Sequence, residues 1–366
     1  MNKVVICGGH LTPALSLLDE LIKNKDVEVL FFGRKYATEG SKNLSAEFKT
    51  ISKLNIKFYE LTAGRFQRKF TKYTIPALFK VPIGFIQSLI YLITTRPNII
   101  VSFGGYLSLP IVFSGWLIGI TSITHEQSTK AGLASKINAL FVKRIFLTWP
   151  QTQKYFPKEK TEVIGNLTMK AIFNQRAKSP NIRNFLAKPQ KLILIIGGNQ
   201  GSHFLNLRIL DILPKLSKYN IFHQVGTANF NGDLDNARKI KRSNYLAVDY
   251  IYPQDIGAVL NRADLIVSRS GANTVWDLAL LAKVAILIPL PFAAANEQEE
   301  NAKILEKAGS AIIVNQKDLT PAVLKQKIDY ILKNYSKSQQ AAQAFAKTLP
   351  KNSAQILTAE ILKLTP

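Results

Sequence analysis

The chain has 366 residues, 47% of them hydrophobic, and a formal net charge of +24 at pH 7. This length predicts two domains, and the hydrophobic fraction excludes wholesale disorder. The single cysteine, Cys7, excludes an internal disulfide and is expected to be a buried spectator. The charge leaves three kinds of partner open: nucleic acid, an anionic membrane surface and a phosphorylated substrate.

Apolar strand-like runs alternate with helical patterns in the first part of the chain. The first run, KVVIC, begins too close to Met1 for a signal peptide to be expected, and a helix is predicted after it from about Pro13 to Lys23. The next runs are VEVLFFG, NIIVSF, ITSITHE and RIFLTW. Their spacing is typical of βαβ units with buried parallel strands.

The stretch PNIIVSFGGYLSLPIVFSGWLIGITSIT carries no charge and has the length of a transmembrane span. Its glycines and Pro110 instead favour a buried strand, a glycine loop, a core helix and the next strand. We therefore expect a peripheral protein and not a spanning one.

No Asp or Glu occurs between Leu61 and His125, a window that is both basic and apolar. This composition indicates a membrane-surface contact, although a helix that covers its own core would have the same composition. The residues predicted at the contact are Arg65, Arg68, Lys69, Lys72, Phe79, Lys80 and Phe85.

The strand pattern restarts after about Asn166, with KLILIIGG, NIFHQVG, LAVDYI, ADLIVSRSG, VAILIPLP and GSAIIV. A helix is predicted within NQGSHFLNLRILDILPKL, and the tail from about Leu324 is predicted to be helical. The predicted domains are residues 1–166 and 167–339, with a helix at about 340–366 that packs back onto the first domain. Both are expected to be doubly wound α/β domains that bind ligands at the carboxyl ends of their strands.

Polar residues follow three strands of the first half. In CGGH, glycines permit close approach of a ligand, and His10 is well placed for proton transfer. Tyr106 follows a second glycine pair, and HEQ ends the next apolar run. Glu126 in that run could be a base, or it could orient His10 or Lys130.

Two glycine-containing loops follow strands of the second half. IIGGNQGSHFLN would place backbone N–H groups and a helix N-terminus around a diphosphate, although a tight strand–helix turn is the alternative. It has neither the Walker pattern nor G-x-G-x-x-G spacing. In SRSGANTVWDLA, Asp277 is expected near the first helical turn, where it could accept from ribose hydroxyls.

The loop that follows VAILIPLP carries Asn296, Glu297, Gln298 and Asn301. Neutral donors and acceptors of this kind suit the hydroxyls of a sugar, and we predict that Gln298 and Asn301 bind one. Neither a catalytic metal nor another cofactor is expected.

The motifs GGH..PAL, GGYLSLP, HEQ...AG, IGN, GGNQG...LN, HQVG and SRSGANTVWDLA...PLPFAAANEQEENA..LEKAGSA occur in the order and spacing of the MurG family. The chain resembles this family from about Val4 to Val314. The family comprises the UDP-N-acetylglucosamine:lipid-linked muramyl-peptide N-acetylglucosaminyltransferases of bacterial cell-wall synthesis. The resemblance implies a GT-B fold, with two Rossmann-like domains and a cleft between them. It also implies a peripheral enzyme at the cytoplasmic face of the cell membrane.

By this resemblance the chain is an inverting transferase that moves N-acetylglucosamine from UDP-N-acetylglucosamine to lipid I. The catalytic candidates are His10, as the preferred base, and Glu126. The implied donor-binding residues are Gly198, Asn199, Gln200, Gly201, Ser270, Gly271, Asn273, Thr274, Asp277, Glu297 and Gln298. The implied acceptor-side residues are Gly8, Gly9, Thr12, Gly104, Gly105, Tyr106, His125, Gln127 and Ser128.

The chain departs from the family pattern at several of these positions. The first loop is shortened to CGGH, Ser128 stands where Asn is usual, Asp277 replaces Glu, and Glu297 replaces His. A related UDP-sugar transferase or epimerase is therefore an alternative. A basic lipid- or nucleic-acid-binding protein is a second one, but the chain lacks the aromatic–basic interleaving of RNA-binding sheets, so no nucleic-acid partner is expected.

Overall fold

The computed structural model describes residues 1–36, 43–62, 64, 74–293 and 296–365, without the side chains of residues 74–79. The chain forms two compact units. The first comprises Met1–Met169 and Pro350–Pro366, and the second comprises Lys170–Leu349. Some residues predicted at the membrane contact lie outside this description: Arg65, Arg68, Lys69, Lys72 and the side chain of Phe79.

The first unit is built on a seven-stranded sheet in which all paired strands are parallel. Its strands are β1 (Asn2–Cys7), β2 (Val27–Gly33), β3 (Lys57–Glu60), β4 (Ile99–Ser102), β5 (Thr121–Glu126), β6 (Arg144–Leu147) and β7 (Thr161–Val163). The spatial order is β3-β2-β1-β4-β5-β6-β7. The order reverses direction between β1 and β4, and in such sheets ligands bind beyond the carboxyl ends of the strands at that point.

Helices cover both faces of this sheet. They are α1 (Leu11–Leu21), α2 (Ala46–Ile51), α3 (Thr74–Thr95), α4 (Ser108–Leu117) and α5 (Leu133–Asn138). Alternate residues of β1 point to opposite faces, so Ile6 packs in a core with Leu17 of α1, whereas Cys7 packs with Ile111 of α4. Burial raises the pKa of the Cys7 thiol, in agreement with the predicted spectator role.

The uncharged stretch forms β4, a glycine loop, α4 and β5, which confirms its prediction as part of a globular domain. Within the residues described, no helix combines the length and the apolar character needed to cross a membrane.

The second unit has a six-stranded parallel sheet. Its strands are β8 (Leu192–Ile196), β9 (Asn220–Gln224), β10 (Tyr245–Val248), β11 (Leu265–Ser268), β12 (Ala285–Leu287) and β13 (Ala311–Ile313). The order is β10-β9-β8-β11-β12-β13, which reverses between β8 and β11. Two doubly wound parallel α/β domains were predicted, and the fold class is confirmed.

The helices of the second unit are α6 (Pro180–Leu186), α7 (His203–Ile212), α8 (Asp233–Lys239), α9 (Pro253–Arg262), α10 (Ala272–Leu280), α11 (Glu297–Lys307), α12 (Pro321–Lys333) and α13 (Tyr335–Ala346). The helix predicted after β8 ends at Ile212 and continues as a 3₁₀ turn over Leu213–Leu216. Pro214 lies in that turn. It has no N–H to donate to the carbonyl four residues earlier, so the α-helical hydrogen bonds do not continue through it.

The chain returns to the first unit through α14 (Ser353–Leu364). Leu357 and Ile361 are fully buried against the core that contains α1, and the Ser353 hydroxyl donates to the carbonyl of Ile164 at 2.6 Å. The predicted helix at 340–366 is therefore two helices, and α13 belongs to the second unit. Pro350 stands between them and cannot continue a helix.

Candidate functional site

A cavity of about 310 Å³ lies at the carboxyl edge of the second sheet. It forms where β8, β11 and β12 are neighbours and where α7, α10 and α11 begin. The lining residues are Gly197, Gly198, Gly201, Ser202, Arg269, Gly271, Thr274, Leu290 and Gln298. Residues of two widely separated motifs, GGNQG and SRSGANT, thus line one cavity.

The loop before α7 needs glycine at its closest approach to the rest of the unit. Gly201 has φ +89°, and a Cβ on it would lie 2.0 Å from the carbonyl oxygen of Val225. Ser202 caps α7 by accepting from the amide of Leu205, while Gly271 precedes α10. The two helix N-termini make this edge of the cavity favourable for an anion.

Arg269 contributes a cation to this cavity that the sequence analysis missed. It is 8% exposed, and its guanidinium donates to the hydroxyl of Ser202 at 2.8 Å and to the side-chain oxygen of Gln316 at 2.7 Å. Its other contacts are the carbonyls of Ile288 and Pro289. Burial lowers its pKa to about 10, so it remains charged at pH 7.

The hydrogen-bond partners of Arg269 recorded in the described ranges are all neutral oxygens. A buried cation with neutral partners favours an anionic ligand, since an anion would supply the missing opposite charge.

Not all predicted donor residues line the cavity. The side chains of Asn199 and Gln200 are exposed beside it. Asn273, Asp277 and Glu297 are partly buried and lie on α10 and α11. Asp277 is the sixth residue of α10, in the second turn, and it shares a helix face with Thr274 three residues earlier.

Three polar residues at or beside the cavity differ in their contacts. Asn301 is fully buried and donates to the carbonyl of Ser270, so the prediction that it binds a sugar is wrong. The Ser270 hydroxyl is buried, with no hydrogen-bond partner in the part of the chain described. Gln298 lines the cavity, and its side-chain oxygen accepts from the amide of Leu290 at 3.0 Å, which leaves its NH₂ group to be a donor.

Two glycine loops pack against each other at the carboxyl edge of the first sheet. The Gly9 amide donates to the carbonyl of Gly104 at 3.0 Å, and a Cβ on Gly8 would lie 2.7 Å from that same oxygen. Gly105 also contacts Gly9 closely. The Gly9 amide is thus engaged within the protein and is not free to donate to a phosphate.

His10 stands directly before α1, with Thr12 in the first turn. Burial lowers the pKa of His10, and the nearby Glu126 carboxylate partly offsets the effect. His10 is therefore neutral at pH 7, which is the protonation state of a general base.

Glu126 anchors its own loop. One carboxylate oxygen accepts from the amide of Ser128 at 3.0 Å and the other from the amide of Gly132 at 3.2 Å, with only 5% of the residue exposed. Of the two roles left open for Glu126, these bonds favour orientation and charge balance over proton abstraction.

His125 is fixed in one tautomer. Its Nε2–H donates to the carbonyl of Gly165 at 3.0 Å, so Nδ1 is unprotonated, and no partner for Nδ1 lies among the described residues. Burial lowers the pKa of His125 to about 4, and the bond to Gly165 partly offsets the effect.

The remaining acceptor-side residues surround the same edge. The Tyr106 hydroxyl accepts from Arg34 at 3.4 Å. Gln127 and Ser128 are each 5% exposed, and the carbonyl of Ser128 accepts from the Thr152 hydroxyl. Their burial indicates that they shape the loop, and Tyr106 is the more accessible of the predicted contacts.

Acid is expected to destabilise the protein through its buried histidines. Burial lowers the pKa of His223 to about 3, and His125 titrates near 4, whereas an unfolded histidine takes a proton near pH 6.5. The free energy of unfolding is therefore highest above pH 6.5. Between pH 6.5 and the lowered pKa of each histidine it falls by about 1.4 kcal/mol per pH unit and per histidine. Urea unfolding at pH 7.5 and 5.5 measures this. A His125→Phe variant should show a smaller difference between the two pH values, and an equal difference would contradict the assignment.

An exposed apolar stripe runs along α3, with Ile83, Ile86, Ile90 and Ile93 spaced by three and four residues. Trp116 and Leu117 of α4 are also more than half exposed, as are Leu133 and Leu140. Phe85, predicted at the membrane contact, instead packs its ring 5.5 Å from that of Phe113. Lys80 is partly buried on α3.

In the described ranges no three His, Cys, Asp or Glu side chains come together as metal ligands.

Comparison with protein families gives two matches. Residues 7–147 match the glycosyltransferase family 28 N-terminal domain, and residues 192–356 match the glycosyltransferase family 28 C-terminal domain.

Several relatives share one name. The UDP-N-acetylglucosamine--N-acetylmuramyl-(pentapeptide) pyrophosphoryl-undecaprenol N-acetylglucosamine transferase of Clostridium novyi is 31% identical over 342 residues, which are 92% of each chain. The protein of the same name from Acetivibrio thermocellus is 28% identical, covering 99% of this chain and 97% of the relative.

Solved structures agree on the fold. The crystal structure of Acinetobacter baumannii MurG has a TM-score of 0.72 and 25% identity, covering 99% of this chain and all of the other. The UDP-GlcNAc 2-epimerase from Neisseria meningitidis has a TM-score of 0.66 over 99% of this chain and all of its own, but at 13% identity it shows the fold alone.

Proposed function

The chain belongs to the MurG family of glycosyltransferases, and from that membership we propose that it transfers N-acetylglucosamine from UDP-N-acetylglucosamine to the muramyl sugar of lipid I. The product is lipid II, a precursor of peptidoglycan. The structural observation that carries the proposal is the cavity of the second unit, where two helix N-termini and Arg269 converge on one edge. That edge suits the diphosphate of a nucleotide-sugar.

The donor occupies the second unit. Its diphosphate lies against the Gly197–Gly201 loop and Arg269, which meet the charge that develops on UDP as it leaves. Thr274 and Gln298 line the same cavity and offer hydrogen bonds to the sugar moieties. Asp277 accepts from the ribose hydroxyls, because it shares a helix face with Thr274 and is too far along α10 to disturb the phosphates at its N-terminus.

The acceptor binds at the carboxyl edge of the first sheet. Its sugar hydroxyl attacks the anomeric carbon, the bond to the UDP oxygen breaks with the electron pair going to UDP, and the configuration inverts. Neutral His10 takes the hydroxyl proton, and Glu126 stabilises the imidazolium that forms. The charge on UDP is met by protein groups, so we propose that the reaction needs no metal.

The direct test is transfer of labelled N-acetylglucosamine from its UDP donor to a lipid I analogue in detergent, with EDTA present. We expect a lipid-extractable product that carries both sugars. Absence of product with UDP binding retained would point to another acceptor, and product only after Mg²⁺ addition would overturn the metal-independent reaction.

We also propose that the first unit works at the anionic cytoplasmic surface of the cell membrane. The exposed isoleucine stripe of α3 and the apolar residues of α4 and α5 provide the insertion surface. The basic, acid-free window from Leu61 to His125 provides attraction to acidic headgroups.

Replacing Ile86 and Ile90 together with glutamate is expected to weaken binding to anionic phospholipid vesicles by at least about tenfold, because both apolar surface and charge attraction are lost. Cosedimentation with vesicles measures it. Tyr330→Glu is the matched control, since Tyr330 is as exposed as Ile86, at 59%, but lies on α12 of the second unit. Equal binding by the double variant and the control would place the membrane contact elsewhere.

A further inference from the structure

The turn at the end of β9, which runs from the last strand residue Gln224 to Ala228, holds the carbonyl groups of the proposed diphosphate loop. Gly198, Asn199 and Gln200 each present a carbonyl oxygen to a donor in this turn. The donors are the side-chain NH₂ of Gln224 at 3.1 Å, the amide and hydroxyl of Thr227 at 3.1 and 3.2 Å, and the amide of Ala228 at 3.3 Å. Three successive carbonyls are thereby fixed in direction.

Fixing the carbonyls also fixes the amides. In a planar trans peptide the N–H points opposite to the C=O of the same peptide unit. The amides of Asn199 and Gln200 therefore point away from the turn. No acceptor for either N–H is recorded within the described part of the chain. Amides held in this way are ready to donate to an anion.

The contact between the loop and the turn is close. A Cβ on Gly226 would lie 2.2 Å from the Cα of Gly201, so backbone packs on backbone with no space for a side chain. The turn therefore acts on the position of the loop directly, and a change in one requires a change in the other.

Gln224 is the member of this turn whose side chain reaches the loop from a buried position. It is 3% exposed, and its Oε1 accepts from the amide of Ile251 at 3.2 Å. That bond determines the orientation of the amide group, because Oε1 must face an N–H and Nε2 must then face the Gly198 carbonyl. Gln224 thus connects the loop after β8 with the segment after β10.

We propose that Gln224 is a positioning residue for UDP-sugar transfer, which orients the amides of the Gly197–Gly201 loop toward the donor diphosphate. The inference rests on the proposed function. It assigns no contact between Gln224 and the ligand, and Gln224 acts only through the loop.

The test compares UDP with uridine, which lacks the diphosphate. Gln224→Glu keeps the shape and the acceptor for Ile251 but sets an oxygen against the Gly198 carbonyl. We expect the Kd for UDP to rise roughly tenfold, the cost of one misplaced hydrogen-bonding group, while the Kd for uridine is unchanged. Calorimetry gives the first value, and competition in saturation-transfer NMR gives the second.

Gln339→Glu is the matched control. The Gln339 side chain also donates to a backbone carbonyl, that of Ala282 at 3.1 Å, and accepts one hydrogen bond, from the Tyr335 hydroxyl at 3.1 Å, but it is partly buried and lies on α13. It should leave both dissociation constants unchanged.

The outcomes are distinct. If the wild-type chain fails to bind UDP, the proposed function fails. If the wild type binds UDP and Gln224→Glu binds both ligands as the wild type does, or loses both equally, the positioning role is overturned. Should Gln224→Glu not fold, Thr227→Val decides, because Thr227 is exposed and only its hydroxyl bond to Asn199 is removed. UDP binding must then weaken without a change for uridine.

Discussion

Replacing His10 with alanine is expected to lower kcat by about 10²–10⁴-fold, the usual contribution of a positioned general base. UDP binding should not change, because the donor cavity belongs to the second unit and His10 to the first. Steady-state transfer assays and UDP calorimetry on the same preparation separate the two quantities. A kcat equal to that of the wild type in His10→Ala would show that His10 is not the general base.

The pH profile gives an independent check on the same residue. Burial holds the pKa of His10 below its usual value, so the decline of wild-type kcat/KM in acid should begin at a lower pH than for an exposed histidine. The acid limb should be absent in His10→Gln, which keeps a polar side chain of similar size but cannot take the proton. An acid limb that persists in the variant would belong to another group, and Glu126 would be the next candidate.

Replacing Arg269 with methionine is expected to raise the donor KM by roughly 10- to 100-fold, since a charge-assisted hydrogen bond contributes about 1.5–3 kcal/mol. The variant should also bind UDP more weakly, with unchanged affinity for uridine, because the proposed partner of Arg269 is the diphosphate. Arg269→Lys should fall between wild type and Arg269→Met, since it keeps the charge without the fork that contacts Ser202 and Gln316 together.

Arg269→Met also leaves protein acceptors without a donor, so a control must separate stability from ligand binding. Arg262 serves this purpose. It donates to the carbonyls of Leu186, Lys188 and Gln190 in the second unit and does not line the cavity. Urea unfolding should show that Arg262→Met and Arg269→Met are both destabilised by about 1–3 kcal/mol. Only Arg269→Met should change the donor KM, and a similar KM change in both variants would mean that Arg269 acts through stability alone.

The central strands were predictable because a parallel strand covered on both faces needs apolar residues at every position. β8, with sequence LILII, shows this. β3 was missed, because Lys57–Glu60 is an edge strand with charged residues at both ends and exposed positions in its burial pattern. β7 was missed because three residues carry no periodicity. Composition therefore identifies the centre of a sheet more readily than its edges.

The glycine loops of the site were predictable from sequence, but the roles of their polar neighbours were not. Arg269 is one of 48 basic residues, and its importance comes from contacts with Ser202 and Gln316 that only the folded sheet brings together. The burial of Asn301 could have been predicted from its spacing, because it lies three and four residues before Ile304 and Leu305 on the buried face of α11. Helical periodicity could have assigned it to the core.

The return of the chain to the first unit through α14 has a consequence for folding. Residues 170–349 are an insertion in the covalent sequence of the first unit, so the second unit can complete its core from one continuous segment. The first unit cannot, since Leu357 and Ile361 close a core begun by β1 and α1. Closing it requires contacts between the two ends of the described chain, such as the bond from Asn2 to Thr365. Contacts of such long sequence separation form slowly. The first unit, although synthesised first, therefore completes its core only after the second unit has been made, and the apolar surface of β1 and α1 that α14 covers stays exposed until then.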